Sequence, residues 1–471
     1  MQSLKIAVLL CTLSGLAGCA FQKYRADPIS PPLTAAALEA RTLADSGLRQ
    51  FLAARSPHPP SSWPLAQWDL PSLTLAAFYY SPALQIARAR VTQAEAAIVS
   101  ARARPNPNLS ADVGGETAPE SPWIAGFVGS LPLETAGKRG HRITAAERAA
   151  EVARWDLAVA AWNVRAQVRS ALLEYLVAGR NLNLLQSAER LRGQQVRLLE
   201  QRLAVGMISR PEVDTARMQH TQALLAARAA EGRLSQAQTS LAAAIGVPTA
   251  GLTGVNLLWP SFDQPPGAAS FTAAGIQQDA VLNRLDIRRA LADYATAEAG
   301  LRLQIARQYP DFNLGPDYAF EEGAHLFSVV LGLTLPAFNH NQGPIAEAKA
   351  RREEMAAQFL SVQAEGIAQS ERALARYNAA LKQLAQAGEL LRQARAQEQA
   401  AQAALRAGAG DRVALNGAQL QTAVTTLAQL NALYEAQQAL GSLENVVQRS
   451  LEPGDIQPLS PQSPLLNAAR R

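Results

Sequence analysis

The sequence predicts a mainly α-helical protein with a small β contribution, organised as a tandem repeat of helix, β-hairpin, long helix, turn and return helix. Three observations predict it. Two very long proline-free stretches carry apolar residues at three- and four-residue spacing. Two pairs of short segments alternate apolar and polar residues, the period of a strand with one apolar face. Finally, SPALQIARARV (81–91) is echoed by NRLDIRRALAD (283–293), and RPNPNLS (104–110) by YPDFNLG (309–315). The stretch QRLAVGMISRPEVDTA (201–216) is likewise echoed by LRAGAGDRVALNGAQ (405–419). The echoes keep one order and an offset of about 203 residues, so the chain reads as a duplication of one large unit.

The elements follow in order. Residues 1–18 pair a minimal basic start (Lys5) with a short apolar run from Ile6 to Leu13, too short to span a bilayer, and read as an export signal. Leu16-Ala17-Gly18-Cys19 fits the pattern at which bacteria cleave and acylate lipoproteins, so Cys19 is the expected lipid carrier. Ala20, rather than Asp, follows it and favours an outer-membrane address. The covalent lipid is the one attached group expected; no cofactor is. Cys11 leaves with the signal, so the two cysteines supply no disulfide framework and stability must come from packing. Residues 19–70 read as an anchor and equatorial segment, 71–248 as the first repeat and 249–273 as an equatorial linker. Residues 274–450 read as the second repeat and 451–471 as a tail.

Each repeat opens with an expected helix of about thirty residues (72–103 and 274–308), stopped by Pro105 or Pro310. Strands are expected at 108–116 and 122–134, and at 312–320 and 325–338, joined by hairpin loops at 117–122 and 321–324. The alternation is plainest where Phe327, Val329, Leu331, Leu333 and Leu335 share a face opposite Ser328, Gly332 and Thr334. Long helices then run from Arg139 to Leu203 and from Ile345 to Leu405, each a rod of roughly 100 Å. In the first, Ile143, Ala146, Ala150, Ala153, Leu157, Ala160 and Val164 form a coiled-coil seam of small residues. Return helices are expected at 211–245 and 411–449.

Between rod and return helix lie the tips Val205-Gly206-Met207 and Ala407-Gly408-Ala409. Glycine permits the reversal, Ser209 or Asp411 offers a cap, and Pro211 suits a first helical turn. Charges crowd just past them: Arg210, Glu212 and Asp214 in the first repeat, Asp411 and Arg412 in the second. They are either a functional ring or simply solvated acids favoured by the helix dipole.

Other chemistry finds little support. There is no HExxH or GxSxG, and TAGKRG (135–140) lacks the first Gly and the Ser/Thr of a phosphate loop. That stretch reads as a strand-to-helix turn, with Lys138 and Arg139 expected to meet lipid headgroups or water. The five histidines (58, 141, 220, 325 and 340) are scattered, so no metal site is expected. The 44 Lys/Arg and 39 Asp/Glu alternate along amphipathic helices, a solvated surface rather than a nucleic-acid patch. Trp123, Phe127, Phe312, Tyr318, Phe320, Phe327 and Phe338 cluster in or beside the strands of a chain with only 6% aromatics. They suit either a membrane girdle or the core of a small soluble β-subdomain. Four strands cannot close a membrane barrel alone, so insertion would require several copies.

The lipobox, the duplicated helix–hairpin–long helix–turn–helix unit and the paired Gly tips together resemble the TolC/OprM family of outer-membrane efflux channels, over about residues 70–450. Within it, RPNPNLS, LPLETAGKRGHR (131–142) and AGAGDRVALNGAQLQ (407–421) look most like the heavy-metal branch of the cobalt–zinc–cadmium type. The resemblance implies a homotrimer forming one twelve-stranded β-barrel, continued across the periplasm by an α-helical barrel. It implies a passive conduit rather than an enzyme, joined through a periplasmic adaptor to an inner-membrane pump of the resistance–nodulation–division class. Val205, Gly206, Met207, Ala407, Gly408 and Ala409 would dock the adaptor. Arg210, Glu212, Asp214, Asp411 and Arg412 would form the periplasmic gate. Ala414 replaces an acid that family members carry in the second repeat, which makes Glu212 with Asp411 the expected substitute ring. Drug efflux or type I secretion would use the same architecture; a lipid-anchored periplasmic scaffold without a pore is the reading of another class.

Overall fold

The structure is a computed structural model that describes residues 22–55, 62–115, 123–321 and 323–452. The expected signal, Cys19, the loop at 117–122, His58 and the tail from 453 lie outside the described residues. Two units are distinguished. The first, up to Arg41, contains helix α1 (Pro31–Glu39), which has no buried residue. The second begins at Thr42 and holds everything that follows.

Its elements run α2 (Ser46–Arg55), α3 (Leu70–Tyr80), α4 (Pro82–Arg102), β1 (Asn108–Gly115), β2 (Trp123–Leu133), α5 (Lys138–Ala204) and α6 (Arg210–Ile245). The second repeat continues with α7 (Ala273–Leu282), α8 (Leu285–Ala306), β3 (Phe312–Glu321), β4 (Ala324–Leu333), α9 (Gln342–Arg406) and α10 (Arg412–Val447). The repeat order is as expected, with three corrections. First, each opening helix is two helices. Pro82 cannot donate to the preceding turn, and Ser81 turns extended (ψ 118°) to cap α4 by accepting the Leu84 N–H. At the equivalent point Arg284 is extended (ψ 128°) between α7 and α8. Second, β4 stops at Leu333, so Leu335 and Phe338 lie on the connector to α9 rather than in a strand. Third, Lys138 is buried at the junction of strands and rods instead of facing headgroups or water.

The four strands form one antiparallel sheet in the order β1-β2-β3-β4. Pairs such as Phe127↔Tyr318 and Tyr318↔Phe327 keep odd residues of β1, β2 and β4 on the same face as even residues of β3. The outer edges of β1 and β4 have no neighbour within the chain among the described residues.

The core sits part-way along the rods. On α5 the buried residues thicken between Leu157 and Leu173, where Ala158, Ala161, Trp162, Val168 and Leu172 join the seam. Around them pack Leu48 and Leu52 of α2, Leu73 and Phe78 of α3, and Leu241 and Ile245 of α6. The inter-repeat linker enters this core through Leu252, Trp259 and Phe262. Trp68 holds the linker from the other side: its N–H donates to the Asn256 carbonyl (2.9 Å) and its carbonyl accepts the Leu258 N–H (2.9 Å). No helix among the described residues is long and apolar enough to cross a membrane.

Candidate functional site

The two tips are built alike. In the first, Gly206 adopts φ 72°, and its N–H donates to the Leu203 carbonyl while Met207 N–H donates to that of Arg202 (both 2.9 Å). In the second, Gly408 adopts φ 73°, with Gly408 N–H on Leu405 (3.2 Å) and Ala409 N–H on Ala404 (3.0 Å). The same three-back and five-back bonds close both rods, and the left-handed conformation they require favours glycine. Val205 and Met207 are left 70% and 74% exposed, as isolated apolar knobs at the end of a long rod. Ala407, Gly408 and Ala409 are exposed as well.

The charges around the tips are not equivalent. Glu212 folds back on its own helix start, its carboxylate accepting Ser209 N–H (3.0 Å) and Ser209 O–H (2.8 Å). The backbone bond, then the hydroxyl, holds its pKa below the usual carboxylate range. Asp411 caps α10 by accepting Val413 N–H (3.2 Å), and also pairs with Arg202 at the end of α5. Arg202, then that backbone bond, lowers the Asp411 pKa. The Arg202–Asp411 pair therefore joins the tip of one repeat to that of the other; Asn416 reinforces it nearby, donating to the Leu191 carbonyl (3.0 Å). Asp214 meets Arg217 (3.4 Å), which also holds Glu200 (2.6 Å). Arg210 and Arg412 are exposed. Of the five expected gate residues, one bridges the repeats and two serve their own repeat. Arg202, the partner that makes the bridge, carries no signal in the sequence, because only the folded chain brings the end of α5 beside the start of α10.

At the other end of the rods the sheet sorts its side chains by face. One face carries Leu109, Val113, Trp123, Phe127, Leu131, Leu133, Phe312, Leu314, Tyr318, Phe320, Phe327, Val329, Leu331 and Leu333. The opposite face carries Asn108, Ser110, Asp112, Ser130, Asn313, Asp317 and Ser328 among small and aliphatic residues. Phe127, Tyr318 and Phe327 stand in register across three strands, with ring centroids 5.1 and 5.2 Å apart. Phe320 and Tyr318 flank His325, whose Nδ1 lies 2.9 Å from the Tyr318 hydroxyl. These rings and Trp123 gather toward the hairpin end, whereas Phe312 sits at the helical end of its strand. The apolar face is bare: Phe327 is 81% and Val113 79% exposed. The rings thus stack on one another at a surface and do not enclose a core.

Where strands meet rods, the chain is stapled. Lys138 is buried because two protein oxygens answer its charge inside the fold: its Nζ donates to Asp311 (2.7 Å) and to the Tyr309 carbonyl (2.6 Å). Thr135 N–H also donates to Asp311 (2.8 Å) and Thr135 O–H to the Pro310 carbonyl (2.6 Å). Arg139 Nε donates to the Arg102 carbonyl (2.9 Å).

Midway along the rods lies a cluster that the periodicity concealed. Arg165 and Arg169 of α5 and Glu444 of α10 are buried, as is Glu452. Glu444 meets Arg165 (3.1 Å) and Arg169 (3.0 Å) and accepts Leu451 N–H (2.8 Å). Arg169 also reaches Glu452 (3.2 Å) and donates to the Gln437 carbonyl (3.0 Å). Glu452 in turn accepts from Trp259 Nε1 (2.8 Å) and Ser261 O–H (2.5 Å). Gly441 makes room: a Cβ there would strike the Arg169 guanidinium. Two arginines one turn apart inside the apolar run VRAQVRSALL (164–173) were the available signal. No group of three or more His, Cys, Asp or Glu among the described residues is arranged to hold a metal ion.

Comparison with known proteins agrees with this architecture. The model of the family "Outer membrane efflux protein" matches residues 70–247 and 276–447, one stretch in each repeat. The cobalt-zinc-cadmium resistance protein CzcC of Cupriavidus metallidurans is 27% identical over 271 residues, covering 56% of this chain and 62% of that protein. The chain thus aligns with rather less than two thirds of that relative's length. Among solved structures, the outer membrane protein VceC of Vibrio cholerae superposes with a TM-score of 0.65 at 18% identity, covering 81% of this chain and 97% of its own. CusC superposes with a TM-score of 0.64 at 18% identity, covering 91% and 99%. With both repeats matched over well more than half of the sequence, and with the fold shared, the chain belongs to the outer membrane efflux protein family.

Proposed function

We propose that the protein is the outer-membrane channel of a tripartite efflux system, a homotrimer that passively conducts heavy-metal cations delivered by an inner-membrane pump through a periplasmic adaptor. One observation carries the reading. A four-stranded sheet with one bare apolar face and two open edges crowns rods of about 100 Å. In water that face is a liability; in a bilayer it is the required lipid contact, and closure into a barrel by three copies removes the edges. The polar face then lines the pore. The energy is the pump's, and the chain itself performs no chemistry.

The resemblance to CzcC supports cobalt, zinc or cadmium as cargo. The exposed tips Val205-Gly206-Met207 and Ala407-Gly408-Ala409 are the surface offered to the adaptor, and the Arg202–Asp411 pair holds adjacent tips together at the periplasmic mouth. Glu212 and Asp411 line that mouth as its acids. Cys19 carries the lipid that fixes the assembly to the outer membrane. The test is complementation of a deletion strain with Gly206 and Gly408 replaced by Leu. Loss of metal resistance with trimers intact supports the docking role. Full resistance removes it, and a deletion strain that remains as metal-resistant as its parent refutes the cargo.

A further inference from the structure

Charge changes sign along the sheet, and the change falls where the strands end. No Lys or Arg occurs between Arg104 and Lys138, or between Arg307 and Lys349. The strands themselves carry the acids Asp112, Asp317 and Glu321, with His325 as their sole titratable base. At the rod end the order reverses. Arg139 Nε donates to the Arg102 carbonyl (2.9 Å), and Lys138 Nζ to that of Tyr309 (2.6 Å). These bonds gather the end of α4, the start of α5 and the segment after α8 at one level, just beyond the sheet pair Leu133↔Phe312. Arg102, Arg104, Arg139 and Arg307 stand there together, while the nearby acids are already committed, Asp311 to Lys138 and Glu134 to Arg142.

The four guanidinium charges are poorly answered by protein. Arg102 reaches Glu147 only at 3.6 Å, and Arg307 donates to the neutral Gln304 side chain (3.5 Å). Arg104 is exposed, and neither it nor Arg139 pairs with a carboxylate among the described residues. On the rods, by contrast, Arg228 and Arg392 each have an acid one turn away. The duplication repeats the arrangement, since Ala101-Arg102 before Pro105 falls on Ala306-Arg307 before Pro310. Exposed apolar side chains accompany the charges: Tyr309 after α8, and Leu335 and Phe338 on the connector that leaves β4.

The eleven residues of β2 extend about 36 Å, enough when tilted to cross an apolar band about 25 Å tall. The strand ends then fall at the two headgroup levels. We propose, on the membrane placement argued above, that Arg102, Arg104, Arg139 and Arg307 bind the phosphates of anionic phospholipids in the leaflet nearer the rods, with Tyr309 and Phe338 seated among the headgroups. The planar guanidinium fork matches phosphate oxygens, and its aliphatic stem lies along apolar surface. The direction follows from the cargo. Arginines turned into the pore would repel the cations it conducts, whereas turned outward they meet lipid phosphate. The acidic strands offer no such contact at their hairpin end, so the collar tells the two leaflets apart and fixes the depth of insertion.

Two measurements on the full-length protein test the collar. Trimers in a neutral detergent are given phosphatidylglycerol or phosphatidylcholine, and the lipids retained per trimer are counted by native mass spectrometry. Phosphatidylglycerol should be retained several-fold more than phosphatidylcholine. Arg104→Gln with Arg307→Gln should remove most of that preference, while Arg104→Lys with Arg307→Lys, and the rod control Arg228→Gln, should keep it. Separately, Phe338→Cys carrying a nitroxide is reconstituted into vesicles of phosphatidylethanolamine and phosphatidylglycerol, the unsubstituted chain labelled alike giving the background. Relaxation by oxygen and by a water-soluble nickel chelate should place the label at headgroup depth. Equal retention of the two lipids by the unsubstituted trimer overturns the collar. So does a preference that survives the Gln pair, or a label that only nickel reaches. In an inserted trimer those results leave the channel standing, whereas a protein that does not float with the vesicles overturns the membrane placement as well.

Discussion

The middle of the rods and the strand end handle awkward groups in opposite ways. At the middle, four charged side chains are buried, and each is answered within the same chain: Arg165 and Arg169 by Glu444, Arg169 again by Glu452. At the strand end, Phe327, Val329, Leu331, Leu109 and Val113 are left bare, and two strand edges remain open. The middle is finished by one polypeptide; in the proposed channel, the sheet is finished by other copies and by lipid. The contrast teaches where the fold is autonomous and where it depends on assembly.

Breaking the finished region should have the largest effect. Arg169→Ala leaves Glu452 and part of Glu444 as uncompensated buried charge, which is expected to cost about 3–5 kcal/mol. Glu444→Gln should fall at the lower end of that range because the Leu451 N–H keeps an acceptor. Both are read from the shift of the unfolding midpoint in denaturant, and a loss below about 1 kcal/mol would mean the cluster does not lock the repeats. The unfinished region is broken differently. Val329→Lys, on the bare face, should cost about 2–4 kcal/mol near the middle of the membrane and prevent trimers from reaching the outer membrane fraction. Ser328→Lys, one residue away on the opposite face, should assemble normally. Equal behaviour of the two variants would erase the distinction between the faces.

The smallest effect is expected at the tips. Asp411→Asn removes an exposed pair with Arg202, so global stability should change by well under about 1 kcal/mol. Its pH dependence has a definite sign. The folded Asp411 pKa lies below its ordinary value of 3.8, so the pair's contribution is complete above that pH and is lost as the pH falls through the lowered value. The distance between spin labels placed on the two tips should therefore be unchanged from about pH 8 to pH 5 and lengthen only in stronger acid. A change near neutrality would assign the contact to another group.

What the sequence revealed follows the same division. Period and duplication are local properties, so the rods, the strands and the tip glycines were legible: α5 runs from Lys138 to Ala204 against an expected Arg139 to Leu203. Local punctuation was legible but outweighed by the repeat: Pro82 marked the break that divides the first helix, although periodicity carried straight across it. What remained hidden was set by partners distant in sequence. Lys138 looked like a surface residue until Tyr309 and Asp311 enclosed it, and Arg169 acquired its meaning only from Glu444 and Glu452. Phe338 was counted with the girdle by composition, yet it stands 98% exposed on the connector beyond the end of its strand.

The most direct test of the account is electrical. The purified, full-length protein reconstituted into a planar bilayer should produce discrete, long-lived conductance steps from a heat-resistant trimer, with Val329→Lys abolishing them and Ser328→Lys retaining them. A trimer that inserts yet leaves the bilayer insulating under every voltage, or steps that persist unchanged in Val329→Lys, would contradict a pore built from these strands.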